Sequence, residues 1–512
     1  MPNPHEVVTR RALAVWMSAV IVYIIAITGR TSFGVAGVEA LNRFQVDASH
    51  IAVFTAVQVG TYALSQIPAG LLIDRYGPRK LLVYGALIMA FGQLLLGFTT
   101  VYGVAICARI LIGMGDATAF LSVMRILPYW IPLHKSPMFT QLTSSLGQLG
   151  QFLSAIPFLT LLHWAGWTPA FVTLGAVGIL VAMGARVAVA DSPETDAAME
   201  EIRRARHEKE EHVKELRRQR ADAAKRERAG LPPVKKANVV AHQVAERADG
   251  QRRAVLRGAR KFFLPLVALT RLQEDEKRGR HGRDTIESVK KVAKNPIVWL
   301  AFLIHATCMT PLITFTLLWG LPMMTQGMGL SPAVAGLVLT VNSVVSFAIG
   351  PFHGFVSARL GGRRDIAAFI FAIGLGLTWV IFFWSDKPRG LVAVVIALVC
   401  MSILTPASNY GFDFVREELP HNVVATGTGF ANMGGFIFGM VASQGMGILL
   451  DISADSTTYT WADFQFGWHA VTATWFAGLV FIAILRTGIF FASRRKNAAP
   501  RRVRIVESSS DS

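Results

Sequence analysis

The chain has 512 residues, of which 52% are hydrophobic and only 16% are charged. This charged fraction lies well below the roughly 25% of soluble domains, and many apolar runs exceed the ~20 residues that cross a bilayer, which excludes a soluble globular protein. The net charge of +18 is carried mainly by residues 191–296, by short turns and by the tails. That distribution marks the cytoplasmic side of a membrane protein rather than a nucleic-acid-binding surface.

Twelve apolar segments are predicted to span the membrane, six on each side of a charged central segment. The first six are 12–36, 49–73, 81–98, 102–129, 137–162 and 168–190; the second six are 297–323, 331–357, 365–384, 390–415, 422–450 and 465–492. The predicted domains are an N-terminal half (1–190), a charged cytoplasmic linker (191–296), a C-terminal half (297–493) and a disordered cytoplasmic tail (494–512). Because the turns after spans 2 and 8 and both tails are basic, both termini are predicted to lie in the cytoplasm.

A charged turn occurs twice, once in each half, between two apolar segments. The first copy reads GLLIDRYGPRK at 70–80, and the second reads GFVSARLGGRR at 354–364. Asp74 of the first copy is replaced by Ala358 in the second. A turn repeated in this way indicates a duplicated membrane bundle whose two halves are not equivalent.

Polar residues at helical spacing give spans 2 and 5 a polar face. The residues are Thr55, Gln58, Tyr62 and Ser65 in span 2, and Gln141, Ser145, Gln148 and Gln151 in span 5. Residues three and four apart lie on one side of a helix, and in lipid such a side must face other helices or water. Two interpretations remain open: hydrogen bonds between helices, or an aqueous cavity that both spans line.

Charged residues inside spans 1 and 4 are the main candidates for a binding site. Each costs about 2.5–3.5 kcal/mol on insertion scales, so a function is expected for them. Arg30 and Arg109 would attract an anionic substrate, with Tyr23 on the same face as Arg30, and the Asp116 carboxylate would bind and release a proton. Arg109 and Asp116 share a helix face about 10 Å apart along the axis, so the alternative is that they form a packing ion pair.

Other polar residues receive structural interpretations. Arg125, near the inner end of span 4, is expected to extend to lipid headgroups. His305 in span 7 is expected to be a histidine satisfied within the bundle rather than a proton relay. A cluster at the inner end of span 10 is expected to be a gate or a surface network: Asp413, Arg416, Glu417 and Glu418.

The repeated turn resembles the loop signature of the major facilitator superfamily, G-x-L-x-D-R-x-G-R-[KR]. The segment RILIGMG at 109–115 is similar to the fourth-span motif of that superfamily. The resemblance covers the chain apart from the linker and tails. It implies an all-α membrane protein with twelve transmembrane helices in two six-helix bundles that rock about a central site. It also implies a conformational latch in the first copy, formed by Asp74, Arg75, Gly77 and Arg79.

A narrower resemblance is to the anion:cation symporter family. Arg30 matches the first-span arginine of that family, while Arg109 and Asp116 match its fourth-span arginine and acidic residue. The segments at 125–132 and 429–435 are also similar. The family carries organic anions with protons or sodium. It often has an aspartate before the first-span arginine, where this chain has Gly29, so Asp116 is expected to be the main proton site.

The sequence therefore predicts a multi-pass transporter of the cytoplasmic membrane that moves a small organic anion, a carboxylate, by proton-coupled alternating access. The expected substrate-binding residues are Arg30, Tyr23, Arg109, Gln58, Tyr62 and Gln148. The expected partners are the anion, protons or sodium, and the lipid bilayer around a monomer; no enzyme activity, cofactor, metal or nucleic acid is expected. Two alternatives remain: a drug/proton exporter with apolar cargo, and a non-transporting scaffold that acts through the linker.

Overall fold

A computed structural model describes residues 7–46, 48–198, 287–454 and 458–498, together with 200–201, 211 and 213–215. Six long helices form the N-terminal half: α1 (Arg10–Val35), α2 (Ala48–Tyr76), α3 (Pro78–Phe98), α4 (Tyr102–Trp130), α5 (Ser136–Ala165) and α6 (Trp167–Ala188). Six form the C-terminal half: α7 (Pro296–Gly327), α8 (Pro332–Leu360), α9 (Arg364–Phe382), α10 (Leu391–Glu418), α11 (Val424–Ser453) and α12 (Trp461–Ala498). A short helix, Gly37–Phe44, follows α1.

Twelve helices arise from eleven continuous helical segments that are long and apolar enough to cross a membrane. One segment, Pro332–Phe382, has 51 residues. At the rise of an α-helix it would measure about 76 Å, more than twice the ~30 Å of a hydrocarbon core. A 3-10 turn at Gly361–Arg363 breaks it into α8 and α9. The twelve predicted spans are confirmed in the described residues.

Local sequence explains where α7 and α8 begin. Asn295 accepts a hydrogen bond from the backbone N–H of Ile297 at 2.9 Å, and Ser331 caps α8 in the same manner. Pro296 and Pro332 follow these caps, at a position where the missing N–H has no helical partner to lose. The residues at the start of α7 and α8 therefore determine where each of these helices begins.

Three π-helical turns interrupt α5 and α7, in the part of each helix that lies far from the repeated turns. They comprise Ser154–Phe158 in α5 and both Phe315–Trp319 and Met323–Gly327 in α7. A π turn adds a residue to the helical repeat and rotates the faces on its two sides relative to each other. The polar face predicted for span 5 therefore ends where the first π turn begins.

Glycines of the repeated turns bring the two halves together. We call the end of the helices that carries these turns the basic end. There α2 packs along α11 and α5 along α8. A Cβ at Gly70 would lie 2.7 Å from the backbone of Thr426 on α11, and one at Gly354 would lie 2.6 Å from Cα of Met138 on α5. Both copies of the motif therefore begin with a glycine at a close approach between halves.

The predicted domain boundaries remain predictions. Ser192–Lys290 forms a unit separate from the rest of the chain, but most of the predicted linker lies outside the described residues. The helix α12 continues to Ala498, past Arg494, where the disordered tail was predicted to begin. Residues 499–512 also lie outside the described part.

Candidate functional site

A charged pair joins α1 to α4 in the middle of the N-terminal half. Arg30 Nε donates to Asp116 Oδ2 at 2.6 Å, and Arg30 Nη2 donates to Asp116 Oδ1 at 3.0 Å. This bidentate geometry is the strongest form of an arginine–carboxylate contact. The Asp116 side chain is fully buried, whereas the Arg30 side chain is 19% exposed. Part of the Arg30 side chain is therefore accessible, whereas the Asp116 side chain is not.

Arg109 does not form the packing pair with Asp116 that helix spacing allowed. Its guanidinium carbon lies 4.7 Å from the ring centroid of Phe33 on α1. The residue is 1% exposed, and its Nε and Nη1 have no hydrogen-bond partner. Among the described residues, Asp116 pairs with Arg30 and forms no hydrogen bond or ion pair with Arg109, so the packing interpretation was wrong. Arg109 is a buried cation with unused donors.

Tyr62 connects the charged pair to the C-terminal half. The Arg30 guanidinium lies 4.3 Å from its ring centroid, and its hydroxyl accepts a hydrogen bond from Asn432 Nδ2 on α11 at 3.0 Å. The Tyr62 ring also meets Phe436 edge-on at 4.7 Å. Asn432 and Phe436 were not among the predicted site residues. Asn432 could have been suspected from the GFANMGG segment that contains it.

The other predicted ligands occupy different settings. Tyr23 packs against Phe120 at 5.5 Å between ring centroids and lies next to Gly147 of α5. Gln58 is 1% exposed, and both polar atoms of its amide are without a partner. Gln148 is half-buried. The structure thus brings Arg30 into direct contact with both Asp116 and Tyr62, while the other predicted ligands form no hydrogen bond with the pair in the described part of the chain.

His305 on α7 is only half satisfied, contrary to the sequence-based expectation. Its Nδ1 lies 3.4 Å from the backbone oxygen of Ser408, and its ring packs 4.8 Å from the ring of Phe412. Its Nε2 is buried and has no hydrogen-bond partner. The residue is 4% exposed, so solvent does not replace the missing partner.

Asp74 of the predicted latch lies at the first turn of α11. Its Oδ1 accepts from the backbone N–H of Ala425 at 3.1 Å, and its Oδ2 accepts from the N–H and the hydroxyl of Thr426 at 2.8 and 2.7 Å. The first N–H groups of a helix lack helical partners, and the helix dipole favours an anion there. The contact between halves is therefore a carboxylate on a helix end.

Arg125 is the ion-pair partner of Asp74 and does not extend to headgroups as expected. Its Nε donates to Asp74 Oδ1 at 3.0 Å, and its guanidinium lies 4.8 Å from the ring centroid of Tyr129. The residue is 7% exposed. The expectation was wrong because α4 turns this side of the helix towards α2 rather than towards lipid.

The remaining latch residues have local contacts in the N-terminal half. Gly77 adopts φ 90°, a conformation that favours glycine, and so permits the turn from α2 to α3. Directly after it, the backbone N–H of Arg79 donates to Asp191 Oδ1 at 2.7 Å. Arg75 is exposed and stacks 4.9 Å from the ring centroid of Tyr76. These residues shape the turn, and Asp74 makes the contact across the halves.

The second copy of the turn uses a different contact. Ser357 donates to Asp413 Oδ2 at 2.6 Å, and Arg416 donates to Asp413 Oδ1 at 3.1 Å. Arg416 also donates to the hydroxyl of Thr140 on α5. Asp413 and Arg416 are 1% and 5% exposed, so this pair is a buried network between the halves rather than a surface one.

Further hydrogen bonds close the basic end. Gln141 Nε2 donates to the Pro406 carbonyl at 2.9 Å, and Asn409 Nδ2 donates to Gln141 Oε1 at 3.0 Å. Arg364 and Glu417 pair at 2.6 Å at the same end, within the C-terminal half. At Gln141, the polar face of span 5 therefore serves hydrogen bonding between helices. Together with the Asp74 contact, these bonds describe a state closed at the basic end.

Several curated proteins are similar to part of the chain. Over 159 residues it is 28% identical to the probable sulfoacetate transporter of Cupriavidus necator, a match covering 31% of this chain and 37% of that protein. Over 162 residues it is 25% identical to the probable galactarate/D-glucarate transporter of Escherichia coli K12, covering 30% of this chain and 36% of that protein. Over 176 residues it is 25% identical to the probable L-galactonate transporter of Escherichia coli K12, covering 34% and 38%. The chain thus matches little more than a third of the length of these relatives, each named for a small organic anion, which supports the resemblance to anion:cation symporters.

The whole architecture matches a solved transporter. The structure of the proton:xylose symporter bound to 6-bromo-6-deoxy-D-glucose superposes with a TM-score of 0.61 at 14% identity. The superposition covers 93% of this chain and 96% of that one, which confirms the predicted fold of two six-helix bundles. The sequence profile of the Major Facilitator Superfamily matches residues 19–443. The chain therefore belongs to the Major Facilitator Superfamily, as its repeated turn predicted.

Proposed function

We propose that the protein is a secondary active transporter that moves a small organic anion, a carboxylate or sulfonate, by proton-coupled alternating access. The observation that carries this proposal is the bidentate pair between Arg30 and Asp116. In this pair the Arg30 guanidinium has the right geometry to bind an anionic substrate, and the Asp116 carboxylate that holds it can be neutralised by one proton. The names of the partial relatives support the class of cargo.

Exchange of partners at Arg30 couples the two ligands. With Asp116 ionised, its oxygens occupy the guanidinium fork. A proton on Asp116 removes the charge that holds the fork, and a substrate carboxylate can then bind Arg30 with the same two parallel hydrogen bonds. Loss of the proton restores the original pair and displaces the anion. Proton and anion thus favour each other's binding, which is the thermodynamic requirement for coupled transport.

Arg109 has a second role in this scheme. Because Asp116 is paired with Arg30 and not with Arg109, protonation of Asp116 does not release Arg109. Instead, its unused Nε and Nη1 donors add a positive charge that attracts the anion towards the N-terminal half. Tyr62, Tyr23, Gln58 and Gln148 remain the proposed sources of hydrogen bonds to the substrate.

Alternating access requires the basic end to open. The contacts of Asp74 with α11 and of Arg416 with α5 hold it closed, and both must break in the other state. We place the basic end in the cytoplasm because Lys and Arg concentrate in cytoplasmic turns. Both termini would then lie on the cytoplasmic face of the cell membrane, and we further propose that the transporter acts as a monomer.

Uptake by reconstituted vesicles tests the function directly. Purified protein in liposomes with an imposed pH gradient is expected to accumulate sulfoacetate, D-glucarate or L-galactonate, and to lose accumulation when the gradient is collapsed. Asp116→Asn removes the titrating group and is expected to abolish accumulation while leaving exchange of labelled for unlabelled anion. Arg30→Ala is expected to raise KM by about 30-fold or more, equivalent to about 2 kcal/mol for a charged hydrogen-bonded pair.

A matched control is Asp365→Asn, which removes a carboxylate paired with Arg486 on the half-exposed surface of the C-terminal half. Full accumulation by Asp116→Asn would contradict the proton role. An unchanged KM in Arg30→Ala would place the anion elsewhere. Export of apolar drugs without uptake of any of the three anions would favour the drug/proton exporter instead.

A further inference from the structure

One face of α2 lies against one face of α11 from the basic end to the central site. The residues that meet recur at helical spacing on both helices, and we call them the α2–α11 seam: Asp74, Gly70, Gln66 and Tyr62 on α2, and Ala425, Thr426, Gly429, Asn432 and Phe436 on α11. The stretch of α2 from Tyr62 to Asp74 is about 18 Å long at the rise of an α-helix. The Asp74 contact and the charged pair therefore lie near opposite ends of one continuous seam.

Asn432 makes a polar contact across the seam close to the central site. Its Nδ2 donates to the Tyr62 hydroxyl and to Gln66 Oε1, each at 3.0 Å. Turning both amides by half a rotation would reverse these bonds and keep the same partners, because an amide carries a donor and an acceptor. Asn432 is 5% exposed and Gln66 is 0% exposed. A buried amide on α11 is thus satisfied by two side chains of the other half, and their separation leaves buried polar groups unpaired, which is costly.

Tyr62 is held at both ends of its side chain. Its hydroxyl accepts from Asn432, and its ring lies 4.3 Å from the Arg30 guanidinium. Phe436, one turn from Asn432 on α11, meets the Tyr62 ring edge-on at 4.7 Å and lies 5.8 Å from the same guanidinium. Because the phenol ring is rigid, a movement of Arg30 that shifts the ring also shifts the hydroxyl relative to Asn432.

We infer that Asn432 is a positioning residue that transmits the state of Arg30 to the interface between the two halves. While Arg30 is paired with Asp116, the Tyr62 hydroxyl bonds Asn432, and the seam is closed beside the site. When Arg30 exchanges Asp116 for an anion, the Tyr62 ring moves with it and the bond to Asn432 breaks. The seam then separates from the site towards Asp74. The inference rests on the proposed function, because it describes how that exchange opens the basic end.

The other contacts between the halves have no comparable connection to the charged pair. Gln141 of α5 bonds Pro406 and Asn409, and Arg416 bonds Thr140 of α5. In the part of the chain that the structure describes, no hydrogen bond or ion pair joins these five residues to the α1–α4 pair. The α2–α11 seam is therefore the interface through which binding at the central site acts, and the contacts of α5 separate after it.

A double-mutant cycle tests the inference without any substrate. Asp116→Asn removes the charge that holds Arg30, and Asn432→Ala removes the polar contact within the seam. Each is expected to raise the ratio of open to closed protein at the basic end, measured from distances between spin labels at Lys80 and Glu418 in a cysteine-free protein in detergent. In the Asn432→Ala background, the effect of Asp116→Asn is expected to be at least about twofold smaller, because residues that act through one contact are not additive.

Tyr62→Phe and Asn342→Ala are the matched variants. Tyr62→Phe keeps the aromatic ring and removes the hydroxyl, so it is expected to reduce the effect of Asp116→Asn as Asn432→Ala does, and it decides the question if Asn432→Ala does not fold. Asn342 is a buried asparagine that bonds Ser402 within the C-terminal half, and Asn342→Ala is expected to leave the effect of Asp116→Asn unchanged. Additive effects in either seam variant that folds, or an equal departure from additivity with Asn342→Ala, overturn the inference.

Vesicles with an imposed pH gradient test the consequence for coupling. Without the contact at Asn432 the halves separate with no anion bound, so Asn432→Ala is expected to admit protons in the absence of any anion about five- to thirtyfold faster than the unsubstituted protein, the effect of one or two lost hydrogen bonds. Asn342→Ala is expected to match the unsubstituted protein. An Asn432→Ala protein that admits protons no faster overturns the inference.

Uptake of sulfoacetate, D-glucarate and L-galactonate separates this inference from the proposed function. If the unsubstituted protein takes up one of these anions and the cycle is additive, the transport proposal stands and the role of Asn432 is overturned. If none of the three is taken up and the cycle departs from additivity, the proposed cargo fails and the connection from Arg30 through Asn432 stands.

Discussion

Arg30 and Arg109 are both arginines of the N-terminal half, yet the surroundings of their guanidinium groups differ. Arg30 has both oxygens of Asp116, whereas Arg109 has the face of Phe33 and two unused donors. A buried pair recovers much of the desolvation cost of its charges, but a cation on an aromatic ring recovers less of it. Arg109 therefore lowers the stability of the empty protein, and a destabilising cation at this position fits a role in holding an anion.

Replacing Arg109 with a residue of similar length and no charge tests this cost. Arg109→Met is expected to raise the free energy of unfolding by up to about 2.5 to 3.5 kcal/mol, the scale of a charge within a membrane span, and to reduce anion uptake. Thermal unfolding in detergent and uptake in vesicles measure the two effects. Arg359→Met removes an exposed arginine that stacks on Phe355, and it is expected to change neither. A less stable Arg109→Met would indicate that Arg109 supports the fold.

At the scale of secondary-structure elements, the last turn of α2 in the N-terminal half binds the first turn of α11 in the C-terminal half. Asp74, in the last turn of α2, accepts three hydrogen bonds from Ala425 and Thr426 at the start of α11. The second copy has Ala358 in the corresponding place, and there Arg416 reaches α5 instead. The two interfaces are equivalent in position and different in chemistry, so a single substitution should affect them unequally.

Asp74→Asn keeps the shape of the side chain and removes its charge. Loss of the charge at a helix N-terminus costs about 0.3 to 2 kcal/mol, and the pair with Arg125 is lost as well. The population open at the basic end is therefore expected to rise by between about twofold and about thirtyfold. Distances between spin labels at Lys80 and Glu418, in a cysteine-free background, measure it. Asp365→Asn serves as the control, and an unchanged distance distribution in Asp74→Asn would remove Asp74 from the latch.

At the scale of the whole molecule, the closed basic end depends on backbones that approach without side chains between them. Gly70 and Gly354 occupy corresponding positions in the two copies of the turn, and each lies against a helix of the other half. Packed interfaces of this kind do not deform gradually, because a single added atom must displace backbone. The two glycines therefore favour the state closed at the basic end.

Gly70→Ala and Gly354→Ala are each expected to shift the protein towards the state open at this end. The added Cβ would lie 2.7 Å from Thr426 Cα or 2.6 Å from Met138 Cα, distances that only separation of the halves relieves. The same spin-label distances should lengthen in both variants. Gly362→Ala, with no atom within 4 Å of the added carbon, is the control. Shorter or unchanged distances in both variants would show that the contact is not part of the closed state.

The sequence predicted the twelve spans and the family because apolar length and turn chemistry are local properties. It also selected Arg30, Asp116 and Tyr62, since charged or polar residues in lipid-facing segments stand out by composition. It did not predict which groups pair. Helix spacing favoured Arg109 as the partner of Asp116, but residues two turns apart are about 10 Å apart along the axis. The true partner is 86 positions away in the chain, and its approach depends on how α1 and α4 pack.

The orientation of single helices was also beyond the sequence. Arg125 could have faced lipid or protein, and the rotation of α4 that sets its direction follows from packing against α2. His305 was expected to be satisfied, but a missing partner is a property of its neighbours and not of its own segment. Asn432 could be recognised from the sequence only through the GFANMGG segment that contains it. Such residues become visible when hydrogen-bond donors and acceptors can be counted across helices.

The pairing of Arg30 with Asp116 has an electrical consequence. Those two charges cancel, as do those of Asp74 and Arg125, so these two pairs together with Arg109 carry one net positive charge in the empty protein. Moving one elementary charge through 100 mV changes the free energy by about 2.3 kcal/mol. Under the proposed function, a dianion such as sulfoacetate, bound with a proton on Asp116, brings that sum to zero. The loaded protein would then reorient without response to voltage, and the membrane potential would act on the return of the empty one.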